Sequence, residues 1–307
     1  MIVEHPRRTL AGPTGRIEGV GLFSARACAL TIEPWAARRD GSVSPGLRFV
    51  TGAGEIAAHV AHQTSDAGLA HMPPGVPSRN TTLALGRASV TTVEHVLAAL
   101  AGLGVTDAIV RVDGPEIPIL DGSALVFVEA IRHAGLIDLS SDDGLGRVLR
   151  LDREVRVGDA ASGAAIIARP HERSSTTGLH ASYELVLPIA GRATTSVADW
   201  RGDAEAFARD VAPARTFSLE HEARALQSRG LFAHVSPRDL LVLDSNGTPI
   251  DNALRFENEA ARHKLLDLVG DLALLGMPLH ARVEATRSGH ALTHALVREL
   301  LKSFGEV

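Results

Sequence analysis

The chain has 307 residues, 45% of them hydrophobic and 22% charged, with a formal net charge of −5. That length suits two modest domains rather than one large core, and no basic run or interleaved aromatic stripe suggests a nucleic-acid surface. The opening MIVEHPRRTL lacks the apolar core of a signal peptide and no stretch is apolar enough to span a bilayer, so a cytoplasmic product is expected. The single cysteine, Cys28, sits in an alternating apolar run and reads as a small buried hydrophobe, leaving His and carboxylate side chains to hold any metal.

In chain order, residues 16–34 alternate and carry β-branched side chains, which predicts two strands broken at Gly19-Val20-Gly21. Residues 70–80 form a Pro-rich loop. A helix is expected over 91–102, a strand over 108–112 and a second helix over 123–133. The polar, turn-rich stretch 138–147 is the expected boundary between an N-terminal domain, 1–140, and a C-terminal domain, 146–307. Strands follow near 148–157, 164–170 and 179–188, then a helix near 203–210, an inserted segment at about 218–243 and a long helix over 257–275. A last strand, 279–286, passes through Ser288-Gly289 into a terminal helix. Strands and helices mix without a βαβ rhythm, which predicts an α+β fold.

Two helices carry the chemistry. In TTVEHVLAALAGLG, 91–104, Val93, Val96, Leu97 and Leu100 make one apolar stripe, and His95 falls opposite it beside Ala98, Ala99 and Gly102. Small residues there admit a close neighbour, so His95 would point into an interface or cleft. Two plainer readings compete: Thr91 and Glu94 forming a capping box, and His95 facing solvent. In RHKLLDLVGDL, 262–272, His263 and Asp267 are four residues apart and point the same way, with Asp271 one turn further and Lys264 at the border. Taken alone, that pattern also fits a solvated, salt-bridged face. Together the helices offer His95, His263 and Asp267 as three ligands, with Glu94 free to act on a water in an open fourth position. His290, at a strand-to-helix corner, adds a histidine that would project into a cleft, or simply begin a helix.

TVEH with LAALAGLGV, then PEIPILDGSA at 115–124, RTF at 215–217, LQSRGL at 226–231, RHKLLDLVGDL and SGHALTHALV at 288–297 resemble, in order, the UDP-3-O-acyl-N-acetylglucosamine deacetylase family of lipid A synthesis. The resemblance implies a two-domain α+β sandwich, each domain packing helices against a β-sheet, with the active site between them. It implies zinc (iron(II) is compatible with the same donors) on His95, His263 and Asp267, with Glu94 as general base and His290 as general acid. Asp271 would orient that histidine, and Lys264 and Thr216 would stabilise charge on the reacting carbonyl. Phe217 and Leu226 would border an acyl-chain passage; the charged residues interrupting 218–243 predict there a helix with one apolar face, carrying Leu219, Ala223, Leu226 and Leu231. The implied partner is an acylated UDP-N-acetylglucosamine, with no nucleic acid and no second subunit.

Two departures bear on recognition. Where the family usually reads GVGLHSG, residues 19–25 read GVGLFSA, placing Phe23 near the substrate in place of a histidine. The segments LPIAGRATTSV, 187–197, and FAHVSPRD, 232–239, also differ from the family pattern. They leave open a paralogue acting on a related acetamido sugar, or a silent sugar-nucleotide or acyl binder. A purely structural metal protein is the third alternative, although such sites usually close with four protein ligands.

Overall fold

A computed structural model describes residues 1–35, 45–65, 79–140, 145–172 and 178–305. Most of the expected 70–80 loop, and the centre of the expected 138–147 boundary, lie outside the described residues. Among the described residues, several sheets and six helices make a mixed architecture consistent with α+β. None of the described helices is long and apolar enough to cross a membrane.

Leu279–Thr286 is the spine of a seven-stranded sheet. It runs parallel to Leu179–Ile189, antiparallel to Ala164–Arg169, and parallel to Gly146–Arg150 at its first residues. Val155–Asp159 and Ile2–His5 extend this sheet, the latter bringing the first residues of the chain beside Gly146–Arg150. The seventh strand, Arg192–Trp200, returns from Leu179–Ile189 through Ala190 and Gly191, both at positive φ as a tight hairpin requires. Sequence patterning does not predict this strand, because Arg192 to Thr195 are all exposed and offer no apolar alternation.

A five-stranded sheet holds Ile17–Val20, Ala27–Pro34, Ala108–Asp113, Leu47–Thr51 and Gly54–Ala57 in that order. The expected break in 16–34 falls later than its glycines suggest: Gly19 and Val20 still pair with Cys28 and Ala27, and the turn begins at Gly21. Cys28 is buried, and burial pushes its thiol up to about 12, as a packing residue rather than a nucleophile requires. Between the two sheets the chain is tied by a buried bidentate pair, Arg7 to Asp107 at 2.6 and 3.0 Å.

The helices are α1 (Glu94–Gly102), α2 (Leu125–Ala134), the single turn α3 (Ala204–Ala206), α4 (Glu220–Gln227), α5 (Glu259–Leu272) and α6 (His290–Ser303). One continuous apolar cluster runs from the five-stranded sheet through α1 and α5 to the seven-stranded sheet and α6. α1 begins after Thr91 and has no side-chain cap, so the capping box does not form; Glu94 instead accepts from the Thr81 amide at 2.9 Å. At their crossing α1 and α5 meet backbone to backbone. A Cβ on Gly270 would fall 2.1 Å from the Glu94 carbonyl oxygen, with no flexible side chain there to yield.

Gly270→Ala is therefore expected to cost about 1–3 kcal/mol net, because overpacking outweighs the roughly 1 kcal/mol that alanine gains over glycine in a helix. Urea denaturation checks this, and an unchanged or higher midpoint would show that α1 and α5 separate without strain.

Candidate metal centre and active site

His95 lies in the first turn of α1, and His263 and Asp267 lie one turn apart on α5. Their ligand atoms all fall within 4.8 Å of one another, and all three residues are buried. Asp267 Oδ1 is 3.3 Å from His263 Nε2 and 3.7 Å from His95 Nε2. Neither plainer reading of these helices holds, since His95 is only 4% exposed and the His263–Asp267 face points inward.

The protonation states suit a cation. His263 donates its Nδ1 proton to the Ala214 carbonyl at 3.0 Å, which leaves Nε2 as a lone pair facing Asp267. Burial, reinforced by His263, pushes the His95 imidazole down to about 3, and burial likewise lowers His263. Burial would raise the Asp267 carboxyl, but Lys264 and His263 outweigh it and hold it well below the usual carboxylate range. Lys264 donates to Asp267 Oδ2 at 2.7 Å, whereas Oδ1 is buried with no hydrogen-bond partner among the described residues. A buried acceptor left unpaired costs about 1–3 kcal/mol. Two neutral imidazoles and an ionised carboxylate around that orphaned oxygen make a possible metal site.

Beside it, burial pushes the Glu94 carboxyl up to about 8. His290 opens α6 and donates from Nδ1 to Asp271 Oδ2 at 2.7 Å. Burial opposes charge on His290, yet Asp271 more than offsets it and the imidazole is pushed up to about 9. The two groups thus combine a carboxyl that can hold a proton near neutrality with a histidine that carries one.

Glu94 and His95 also line a cavity of about 590 Å³, together with Thr216, Phe217, Phe23 and Leu226. Lys264, Asp271 and His290 do not line it; Lys264 and His290 approach Asp267 Oδ2 at 2.7 and 3.8 Å. Phe23 meets Phe232 edge to face, with ring centroids 5.5 Å apart. In the inserted segment, Ala223 and Leu226 line the cavity, but Leu219 does not. It packs with Leu241 and Leu243 where Phe217–Leu219 pairs in parallel with Leu241–Leu243. Leu231 is buried and also stands off the cavity.

Sequence reasoning missed Thr81 and His294, both buried and both hydrogen-bonded around Asp271. It also missed Glu116, whose carboxylate accepts from the Phe23 and Ser24 amides and from the Thr92 hydroxyl. The fourth-residue spacing of His290 and His294 was the available signal for the second histidine; Thr81 offered none.

The family model described as UDP-3-O-acyl N-acetylglycosamine deacetylase matches residues 7–302. A UDP-3-O-acyl-N-acetylglucosamine deacetylase from Anaeromyxobacter sp. (strain Fw109-5) is 36% identical over 296 residues, covering 94% of this chain and 86% of its own length. A protein of the same name from Citrifermentans bemidjiense is also 36% identical, over 95% of this chain and 88% of its own. The chain belongs to the UDP-3-O-acyl N-acetylglycosamine deacetylase family.

The orphaned Asp267 oxygen predicts about one tightly bound divalent ion per chain. Elemental analysis should find it in the purified protein and find it largely lost from the His95→Ala/His263→Ala double variant. Full retention in that variant would place any metal elsewhere.

Proposed function

We propose that this member of the family hydrolyses the acetamide of UDP-3-O-acyl-N-acetylglucosamine, releasing acetate and a free amino sugar in lipid A synthesis. The observation that carries the reading is the ionised Asp267 Oδ1, without a hydrogen-bond partner among the described residues, facing two neutral imidazoles beside Glu94 and His290. In our reading the chain forms two α+β domains, 1–140 and 146–307, with the active site between them. The enzyme would work as a cytoplasmic monomer.

His95, His263 and Asp267 would hold zinc, with iron(II) acceptable to the same donors. Such an ion, when bound, polarises a carbonyl and makes water acidic enough to ionise at neutral pH. Glu94 takes a proton from the attacking water, and a carboxyl raised by burial retains it. As the carbon–oxygen bond forms, the carbonyl π pair moves to its oxygen, where the Lys264 ammonium and the Thr216 hydroxyl stabilise the charge. His290, kept protonated by Asp271, gives its proton to the sugar nitrogen as the carbon–nitrogen bond breaks. Phe217 and Leu226 border the passage for the acyl chain in the cavity they line, and Phe23 lies near the substrate in the same cavity.

Acetate release measured on acylated and non-acylated UDP-N-acetylglucosamine, with and without a chelator, tests the proposal. The acylated substrate should be preferred by orders of magnitude in kcat/KM, since each buried methylene contributes about 0.8 kcal/mol. Chelation should abolish turnover. Glu94→Ala should keep its metal and lose about 10²–10⁴ in rate. Equal kcat/KM for the two substrates would sink the acyl assignment and favour a paralogue acting on a simpler acetamido sugar.

A further inference from the structure

Asp271 has two carboxylate oxygens, and the proposed chemistry uses only one. Oδ2 holds His290, whereas Oδ1 accepts from the Thr81 hydroxyl at 2.6 Å. The same hydroxyl lies 3.0 Å from His294 Nε2, a residue one turn beyond His290 on α6 and only 3% exposed. His294 Nε2 is 3.5 Å from Asp271 Oδ1, too long for a good direct bond. One proton arrangement satisfies every member. His294 Nε2–H donates to the Thr81 oxygen, Thr81 donates to Asp271 Oδ1, and His290 Nδ1–H donates to Asp271 Oδ2.

Thr81 also reaches the other half of the site through its backbone. Its amide donates to Glu94 Oε2 at 2.9 Å, and its carbonyl accepts from the Val93 amide at 3.2 Å. The segment is braced from both sides. Asn80 donates to the Thr92 hydroxyl, which itself donates to Glu116 at 2.9 Å. Thr92 adopts φ 61, a left-handed conformation that costs a β-branched residue free energy and persists only where neighbours enforce it. That strained residue stands two positions before Glu94. Structure has therefore been invested in fixing how Glu94 leaves the loop and enters α1.

We propose that Thr81, backed by His294, is a positioning residue that sets the base and the acid relative to one another. Its amide fixes the Glu94 carboxylate, and its hydroxyl fixes the Asp271 carboxylate that holds His290. Thr81 itself is fully buried, so it acts only through these two groups. Three elements that share no hydrogen-bond ladder, α1, α5 and α6, thereby meet at one residue, α1 at its amide and α5 and α6 at its hydroxyl. A buried carboxylate with a free oxygen could rotate away from His290; one gripped at both oxygens cannot.

This inference rests on the acid–base roles proposed above, and the experiment separates the two. Thr81→Val keeps the shape and the amide but removes the hydroxyl, while Thr81→Ser keeps both polar groups. Relative to unaltered protein, Thr81→Val should lower kcat by about ten- to a hundredfold with KM within about twofold and metal content unchanged, and Thr81→Ser should recover most of the rate. His294→Leu should follow Thr81→Val in direction, and His294→Gln, which restores a donor, should be rescued. A readout independent of turnover is the low-field proton resonance of the His290–Asp271 bond, assigned by its loss in His290→Gln. It should shift or broaden in Thr81→Val and return in Thr81→Ser. Unaltered kcat and an unaltered resonance in Thr81→Val would overturn the inference, as would a Thr81→Ser variant no better than Thr81→Val. If the unaltered protein releases no acetate, the functional reading fails, and the resonance alone decides the role of Thr81.

Discussion

The close approach of α1 and α5 at Gly270 governs the site's dimensions. Because position 270 carries no Cβ, the Glu94 carbonyl can sit where one would be. His95, one residue later on α1, then comes within 3.7 Å of Asp267 on α5. The far end of α1 repeats the device: a Cβ on Gly102 would fall 2.3 Å from the Phe207 ring. A helix whose functional face is built of small residues can be gripped along its length, and rigid packing of that kind holds catalytic groups to useful tolerances.

That packing buries three carboxyl groups, Glu94, Asp267 and Asp271, in one small volume. Such a cluster is a poor source of stability, since apolar groups of equal volume serve a core at least as well. Its internal balance is instead functional. Lys264 and the neighbouring histidines hold Asp267 ionised, His290 and His294 hold Asp271 ionised, and burial leaves Glu94 high, with no cationic partner at bonding distance among the described residues. Three buried carboxyl groups thus acquire different protonation behaviour from their neighbours, which suits the separate roles of ligand, orienting group and base proposed for Asp267, Asp271 and Glu94.

Much of this was legible in the sequence wherever helical periodicity did the reading. The stripe Val93, Val96, Leu97 and Leu100 put His95 on the opposite face, and the spacing of His263, Asp267 and Asp271 put all three on one face; both inferences depend on nothing beyond 100° per residue. The capping box failed because Glu94 had a better donor in the Thr81 amide, thirteen residues away, and no local rule reports that. Arg192–Trp200 escaped because half of it is an exposed hairpin arm whose residues need not alternate. Ile2–His5 and Thr81 escaped for a shared reason: their importance lies in pairings with Gly146–Arg150 and Asp271, contacts of high sequence separation that leave no periodic trace.

The same division between core and periphery bears on where the chain departs from its family's usual pattern. Apart from Thr216, the groups proposed for the chemistry belong to α1, α5 and α6, whose apolar residues lie in the main cluster. The cavity wall is built differently. α4 buries none of its residues, and the strands flanking its segment pack Leu219, Leu241 and Leu243 into a small cluster of their own. A half-exposed bidentate pair, Arg79 with Glu222 at 2.9 and 3.0 Å, joins that wall to the segment leading into Thr81. Substitutions in such a wall disturb few buried contacts, so it can change shape at little cost to the fold. Phe23 and Phe232, the edge-to-face pair at two of the divergent stretches, lie in this wall and not in the core. Changes at Phe23 and Phe232 would alter what the cavity admits while leaving Glu94 and His290 where α1 and α6 hold them.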